Sequence, residues 1–170
     1  MIVLENAPSN RDHFARLSKF GREVVDICGD LGVAPVLYAG LAAFAYTRDT
    51  SIAVHDLDLL VPEARYPEIT RVLEERGIEH VVREWHVLQV LRGDLKIELD
   101  SMEFWSNVWQ LDLPEVYDTL RTVDFVIRIM PLDALKQTYK YGSELGEDEP
   151  KSASYRLKYE ALNRLGSKRD

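Results

Sequence analysis

Two aspartates with one leucine between them place the strongest constraint on how this chain can fold. Asp56 and Asp58 open an apolar run that ends at Val61, which predicts a β-strand. Side chains two residues apart on a strand point to the same face, so the two carboxylates are expected side by side. Like charges so close repel one another unless a cation lies between them. The pair therefore indicates a metal site, and the alternative is a surface strand with ordinary apolar–polar alternation.

A glycine upstream of the aspartates favours the metal-site interpretation. Gly40 ends a strand predicted for 36–39 and opens an Ala-rich helix predicted for 41–48. Backbone N–H groups at the start of a helix have no partner within the helix and can hold an anion. A phosphate-binding turn followed one strand later by paired carboxylates suits Mg²⁺, because some of the oxygen ligands of this ion come from protein carboxylates and others from substrate phosphates.

The residues around Gly40 and the aspartates resemble the signature of the DNA polymerase β-like nucleotidyltransferase superfamily. That signature has a hydrophobic residue, Gly, and Gly or Ser, then a gap of about a dozen residues and Asp-hydrophobic-Asp/Glu-hydrophobic. Here it stands as Ala-Gly-Leu at 39–41, followed after fourteen residues by Asp-Leu-Asp-Leu at 56–59. Leu41 stands where the family usually has Gly or Ser. The resemblance implies transfer of a nucleoside monophosphate from a nucleoside triphosphate to a hydroxyl acceptor, with Mg²⁺ as the cofactor.

The resemblance also implies a metal-binding and catalytic role for particular carboxylates. Asp56 and Asp58 would bind the metal, and a third carboxylate would come from a neighbouring strand. The strand predicted for 95–102 offers two candidates. Glu98 has the apolar neighbours of the family pattern, whereas Asp100 would be favoured if the strands were shifted by one residue pair. Both are therefore candidates alongside the two aspartates.

Phosphate binding, by the same resemblance, falls to the glycine turn and to lysines near the C-terminus. Gly40 and Leu41, at the start of the predicted helix, would hold the β and γ phosphates. Small nucleotidyltransferases carry a Lys and a second basic residue in a helical tail. The matching candidates here are Lys136, Lys140 and Lys158.

The order of the predicted elements indicates an α+β fold. Helical periodicity covers 10–31, 63–76, a segment from 131, and 152–165, and strand-like segments cover 78–82, 85–91, 95–102 and 121–130. We expect a mixed, mostly antiparallel sheet of about five strands, with helices packed on it and a C-terminal helical pair. Residues 1–130 would form the nucleotidyltransferase-like core and 131–170 a helical segment packed on it, within one domain. An acidic loop is predicted for 146–150.

Composition limits the partners of such a site. The 170 residues suffice for one compact core, and the net charge of −8 argues against a broad nucleic-acid surface, which needs clustered Lys and Arg. The negative balance suits a small cationic acceptor better than RNA. The single cysteine, Cys28, excludes an intrachain disulfide. The N-terminus does not resemble a signal peptide, and no apolar run approaches the length of a membrane span, so a cytoplasmic location is expected.

Two features leave other interpretations open. Leu41 is compatible with a nucleotidyltransferase-fold protein that binds nucleotide without turnover. Four aromatic residues, Phe104, Trp105, Trp109 and Tyr117, either line a substrate pocket or cover one end of the sheet. Small size and these aromatics also allow a partner-binding role, as a homodimer or as one half of a toxin–antitoxin pair. Within the superfamily, the chain is similar to the small lincosamide and aminoglycoside nucleotidyltransferases and to nucleotidyltransferase toxins.

Overall fold

A single mixed sheet organises the part of the chain that the structure describes. The computed structural model describes residues 1–145 and 151–166. The strands are β1 (Ile2–Val3), β2 (Val36–Tyr38), β3 (Leu57–Val61), β4 (Glu79–Arg83), β5 (Val87–Arg92), β6 (Leu95–Ser101), β7 (Asp118–Arg121) and β8 (Val126–Ile129). Within these residues they form one eight-stranded sheet in the order β1-β7-β8-β2-β3-β6-β5-β4.

Helices connect and cover the strands. They are α1 (Arg11–Asp30), α2 (Ala39–Thr47), α3 (Tyr66–Glu75), α4 (Met102–Val108), α5 (Leu132–Ser143) and α6 (Ser152–Gly166). Helices α5 and α6 pack against each other, and both contact α2. The predicted C-terminal helical pair is therefore present. The division into a core of 1–130 and a segment of 131–170 stays a prediction, and the acidic loop predicted for 146–150 lies outside the described residues.

The centre of the sheet combines both strand directions. Strand β3 pairs antiparallel with β2 on one side and parallel with β6 on the other. Strands β6, β5 and β4 continue as two antiparallel pairs. The α+β class and the mixed sheet are confirmed. The sheet is larger than the expected five or so strands, because its β1 edge contains two short strands, β1 and β7, that the sequence pattern did not indicate.

The single strand expected for 121–130 is wrong, because the chain reverses direction there. Strand β7 pairs antiparallel with β8. The Thr122 hydroxyl oxygen accepts hydrogen bonds from the backbone N–H groups of Asp124, at 3.2 Å, and Phe125, at 3.1 Å, which closes a tight turn. Apolar and polar residues continue to alternate through this turn, so the sequence pattern did not reveal it. The two-residue β1, which pairs with β7, is likewise too short to be recognised from alternation.

Helix α1 packs onto the sheet through its apolar stripe. Phe20, Val24 and Ile27 recur at spacings of three and four residues and are at most 1% exposed. Gly21 lies beside them and permits a close approach to β3. A methyl group on Gly21 would lie 2.5 Å from the Cδ1 atom of buried Leu57. This contact fixes the height of α1 above the strand that carries the aspartates.

Among the described residues, no helix combines the length and the apolar character that crossing a membrane requires.

Replacing Gly21 with Ala should destabilise the protein, because the new methyl group overlaps Leu57 at the contact between α1 and β3. Overpacking outweighs the better helix propensity of Ala, so we expect the free energy of unfolding in urea to fall by about 1–2 kcal/mol. Gly29→Ala is the matched control in the same helix, with nothing within 4 Å of its new methyl group. It should gain about 0.5–1 kcal/mol, and equal effects of the two substitutions would contradict the close approach.

Candidate active site

Three carboxylates meet on one face of the sheet where β3 and β6 lie side by side. The parallel register places Asp58 directly opposite Glu98. Asp100 lies two residues after Glu98 on β6 and therefore points to the same face. One oxygen atom from each of the three carboxylates can be chosen so that all three atoms lie within 4.8 Å of one another. Because Mg²⁺ takes oxygen ligands at about 2.1 Å, carboxylates this close could bind one ion after small side-chain movements.

Asp56 lies at the edge of this cluster, immediately before β3. Its Oδ2 atom is 3.3 Å from the Nζ atom of Lys96, and the same nitrogen is 2.9 Å from Oε1 of Glu98. The sequence pattern places Asp56 and Asp58 side by side on one strand. In the structure the tight group is Asp58 with both candidate third acids, and Asp56 is joined to that group through Lys96. Their catalytic and metal-binding roles stay predictions.

The choice between the two candidate third acids is a question of strand register. Glu98 is in register with Asp58, whereas Asp100 is in register with Leu60. Asp100 is only 2% exposed, whereas Glu98 is partly buried and bound by Lys96. Both belong to the cluster, so the geometry keeps both as candidates.

Burial and neighbouring negative charge act together on two of the carboxylates. Burial, and then the charges of Asp56, Asp100 and Glu98, raises the pKa of Asp58 well above its ordinary value. Burial also raises the pKa of Asp100 to about 7, although a hydrogen bond from Tyr38 opposes this rise. A bound cation would relieve the repulsion and replace the lost hydration.

Tyr38, which the sequence did not single out, connects the glycine turn to the carboxylates. It ends β2 in register with Asp58, and its hydroxyl donates a hydrogen bond of 2.5 Å to Oδ2 of Asp100. Its ring packs against Trp109, with the ring centroids 5.2 Å apart. An aromatic residue in a half-buried strand is common, so no local signal marks it as part of a site.

The turn between β2 and α2 opens toward the same space. Ala39 has a φ of 58°, a left-handed conformation that costs a non-glycine residue about 1–2 kcal/mol. Gly40 follows it and lines the cavity described below. Its missing side chain leaves room rather than relieving a clash, since a methyl group there would meet only the Ala53 carbonyl at 3.6 Å. Leu41 is 1% exposed and packs in the core, so only its backbone could contribute to phosphate binding.

The three candidate lysines fall in different places. Lys158 on α6 lines the cavity, but Lys136 and Lys140 on α5 are not among the lining residues that the structure describes. Helix α5 presents Thr138, Tyr139, Tyr141 and Gly142 to the cavity. These four positions occupy less than half of the helix circumference, and positions 136 and 140 lie outside that arc. Lys140 is exposed, and the Lys136 nitrogen lies near the end of α6.

Lys158 is the cation that faces the carboxylates from the helical side. Burial lowers its pKa, and the charges of Asp58 and Asp56 partly oppose that effect. Its nitrogen lies 5.6 Å from the centre of the Tyr139 ring. Lys151 also lines the cavity, and the sequence did not indicate it because it directly follows the stretch predicted as an acidic loop.

These side chains surround one cavity of about 470 Å³. All three tryptophans of the chain, Trp85, Trp105 and Trp109, line it. The Trp105 indole nitrogen and the Tyr139 hydroxyl are buried without a hydrogen-bond partner among the described residues. Of the four aromatic residues singled out in the sequence, Trp105 and Trp109 line the cavity, whereas Phe104 stacks on His86 and is not among the described lining residues.

Comparison with known proteins finds similar solved structures but no matching sequences. Neither a protein-family model nor a curated protein sequence matches the chain. An antigenic nucleotidyltransferase-like protein from Paracoccidioides brasiliensis superposes with a TM-score of 0.64 at 14% identity, covering 88% of this chain and 76% of that one. ANT(2″)-Ia in complex with adenylyl-2″-tobramycin gives 0.61 at 14% identity, covering 89% and 90%.

A third solved structure extends the same likeness. The lincosamide antibiotic adenylyltransferase LnuA with lincomycin bound gives a TM-score of 0.56 at 12% identity, covering 94% of this chain and 99% of that one. The chain therefore has the fold of the DNA polymerase β-like nucleotidyltransferases, which confirms the resemblance found in the sequence. At these identities the likeness establishes the fold alone.

The raised pKa of Asp100 predicts how stability depends on pH. Between the ordinary value of 3.8 and about 7, folded protein holds a proton that the unfolded chain has released, so this group makes the protein less stable as pH rises. We expect metal-free protein in urea to lose stability across this window more steeply than Asp100→Asn. The exposed Asp112 provides a control, and Asp112→Asn should keep the steep dependence. Identical pH profiles for wild type and Asp100→Asn would contradict the prediction.

Proposed function

We propose that this protein is a Mg²⁺-dependent nucleotidyltransferase that moves a nucleoside monophosphate from a nucleoside triphosphate to a hydroxyl acceptor. The observation that carries the proposal is the cluster of Asp58, Glu98 and Asp100, which lies in a cavity shared with the start of α2. The fold supports it, because the solved structures with that fold include two antibiotic nucleotidyltransferases.

The carboxylate cluster fits a hard divalent cation. Its donors are all oxygen atoms, its carboxylates are buried or partly buried, and a positive charge would relieve their mutual repulsion. Asp56, Asp58 and one or both of Glu98 and Asp100 would hold the ion. When bound, Mg²⁺ would neutralise charge on the phosphates and on the attacking and leaving oxygens.

The remaining steps belong to residues of the chain. The acceptor hydroxyl gives its proton to a carboxylate of the cluster, and its oxygen attacks the α-phosphorus. The bond from that phosphorus to the bridging oxygen breaks, and pyrophosphate leaves. The backbone at Gly40 and the ammonium groups of Lys158 and Lys151 line the same cavity and would hold the phosphates. Catalysis of this kind is mostly positioning and charge neutralisation.

The acceptor is proposed to be a small hydroxyl compound that carries positive charge. The net charge of −8 attracts cations, and the tryptophans of the cavity wall offer ring faces on which a cation or an apolar ring can pack. ANT(2″)-Ia was solved with adenylyl-2″-tobramycin and LnuA with lincomycin. Tobramycin and lincomycin are therefore the first acceptors to test.

Asp58→Asn should abolish the activity, because it removes one charge from the cluster without changing side-chain size. We expect pyrophosphate release from ATP, with Mg²⁺ and an acceptor, to fall by at least about a hundredfold. Mg²⁺-dependent ATP binding, measured by calorimetry and by tryptophan fluorescence, should also be lost. Asp112→Asn, an exposed carboxylate outside the cavity lining, is the matched control and should behave like wild type.

The outcomes separate the proposal from its alternative. Wild-type activity in Asp58→Asn would exclude the carboxylate cluster as the site. Mg²⁺-dependent nucleotide binding without pyrophosphate release, under every acceptor tested, would favour a protein that has kept the site for binding alone.

Lys158→Met should weaken binding of ATP with Mg²⁺ by about tenfold, because a partly buried ammonium group is lost from the cavity wall. Lys140→Met makes the same chemical change at an exposed position outside the cavity lining, and should leave the Kd unchanged. Calorimetric titration of both variants with ATP and Mg²⁺ measures the difference. Equal weakening in both would mean that general charge, rather than a placed lysine, holds the triphosphate.

A further inference from the structure

Lys96 is the residue of the carboxylate cluster that the function proposed above does not use. It stands on β6 two residues before Glu98, so both side chains point to the same face. The parallel register that pairs Leu57 with Ile97 brings Lys96 alongside Asp56. Its ammonium nitrogen lies 2.9 Å from a Glu98 oxygen and 3.3 Å from an Asp56 oxygen.

The ammonium group thus bridges two carboxylates that a divalent ion would also need. One positive charge held at hydrogen-bond distance offsets part of the repulsion among the four carboxylates of the site. A second cation beside it would be repelled by the ammonium group. Binding of a metal by Asp56 and Glu98 therefore requires Lys96 to leave at least one of them.

The side chain of Lys96 has room to leave. It is 37% exposed and lines the cavity. A lysine has a flexible four-carbon stem, so its ammonium group can turn into the cavity without a change in the strand. There it would meet the space in which triphosphate oxygens are proposed to lie.

We propose that Lys96 is the built-in counter-cation of the metal-free site, and that it competes with the divalent ion for Asp56 and Glu98. This inference rests on the proposed function, because it takes the cluster to be a metal site. It follows that the site binds a metal ion weakly on its own. It binds the ion more tightly with a nucleoside triphosphate, whose phosphates accept the displaced ammonium group. Lys96 thereby couples metal binding to nucleotide binding.

A purely structural ion pair would behave differently. Loss of such a pair would lower stability by the same amount with and without metal, and would leave metal affinity unchanged. Competition predicts instead that loss of the lysine tightens metal binding and that added metal restores the lost stability, because binding to the folded state stabilises it.

The experiment compares wild type with Lys96→Met, which keeps an unbranched, flexible side chain only one atom shorter and removes its charge. Mn²⁺ alone, without nucleotide, is titrated into each protein, and free Mn²⁺ is measured by electron paramagnetic resonance. We expect the Kd for Mn²⁺ to fall by about tenfold in Lys96→Met, since one repelling charge is gone. Lys19→Met is the matched control, because Lys19 is exposed on α1 and is not among the cavity-lining residues, and it should match wild type.

Thermal unfolding provides a second readout that does not depend on activity. Metal-free Lys96→Met should have a lower Tm than wild type, and saturating Mn²⁺ should raise its Tm by more than it raises that of wild type. A Kd in Lys96→Met that equals or exceeds the wild-type Kd would overturn the inference while leaving the proposed function intact. Absence of Mn²⁺ binding in both proteins would overturn the inference, and absence of Mg²⁺-dependent ATP binding by wild type in the calorimetric titration would overturn the proposed function as well. Binding by Lys96→Met alone would support the inference in its strongest form.

Discussion

Repulsion among carboxylates held in parallel register is the constraint on which the rest of this site depends. Strands β3 and β6 cannot slip to relieve it, because Leu57, Leu59, Ile97 and Leu99 on their opposite faces are at most 1% exposed. A shift by one residue would exchange the faces and bring those apolar side chains out of the core. Burial of these four apolar side chains therefore keeps Asp58, Glu98 and Asp100 close together. Polar groups nearby hydrogen-bond to the carboxylates or pair with them.

Three different elements contribute polar groups that face the carboxylates. Tyr38 at the end of β2 donates a hydrogen bond to Asp100, Lys96 on β6 bridges Asp56 and Glu98, and the Lys158 ammonium on α6 faces the same cavity. The two lysines offset part of the negative charge, while burial, followed by the charges of the neighbouring carboxylates, raises the pKa of Asp58, and burial raises the pKa of Asp100. The described residues around the cluster therefore compensate its negative charge only in part.

The sequence predicted those parts of the site that depend only on neighbouring residues in the chain. Alternation marked the strand after Asp56 and the strand around Glu98, and the glycine turn marked the start of α2. The register between two parallel strands some forty residues apart is not encoded in either strand, so the direct pairing of Asp58 with Glu98 could not be predicted. Which of the candidate lysines lines the cavity could not be predicted for a related reason. Which face of α5 meets the cavity depends on how α5 docks on α2 and α6, and that docking leaves Lys136 and Lys140 outside.

The glycine motif shows how a correct pattern can carry a different physical meaning from the expected one. Gly40 has no positive φ and no crowded neighbour; the left-handed residue is Ala39, one position earlier. Such a conformation persists in a non-glycine residue only when its surroundings determine it. Here Tyr38 is held in the sheet on one side, and α2 is buried through Leu41, Ala42 and Phe44 on the other. Packing on both sides of Ala39 thus imposes the strained conformation. As a result, the N-terminus of α2 faces the cavity beside the carboxylates, and Gly40 lines that cavity.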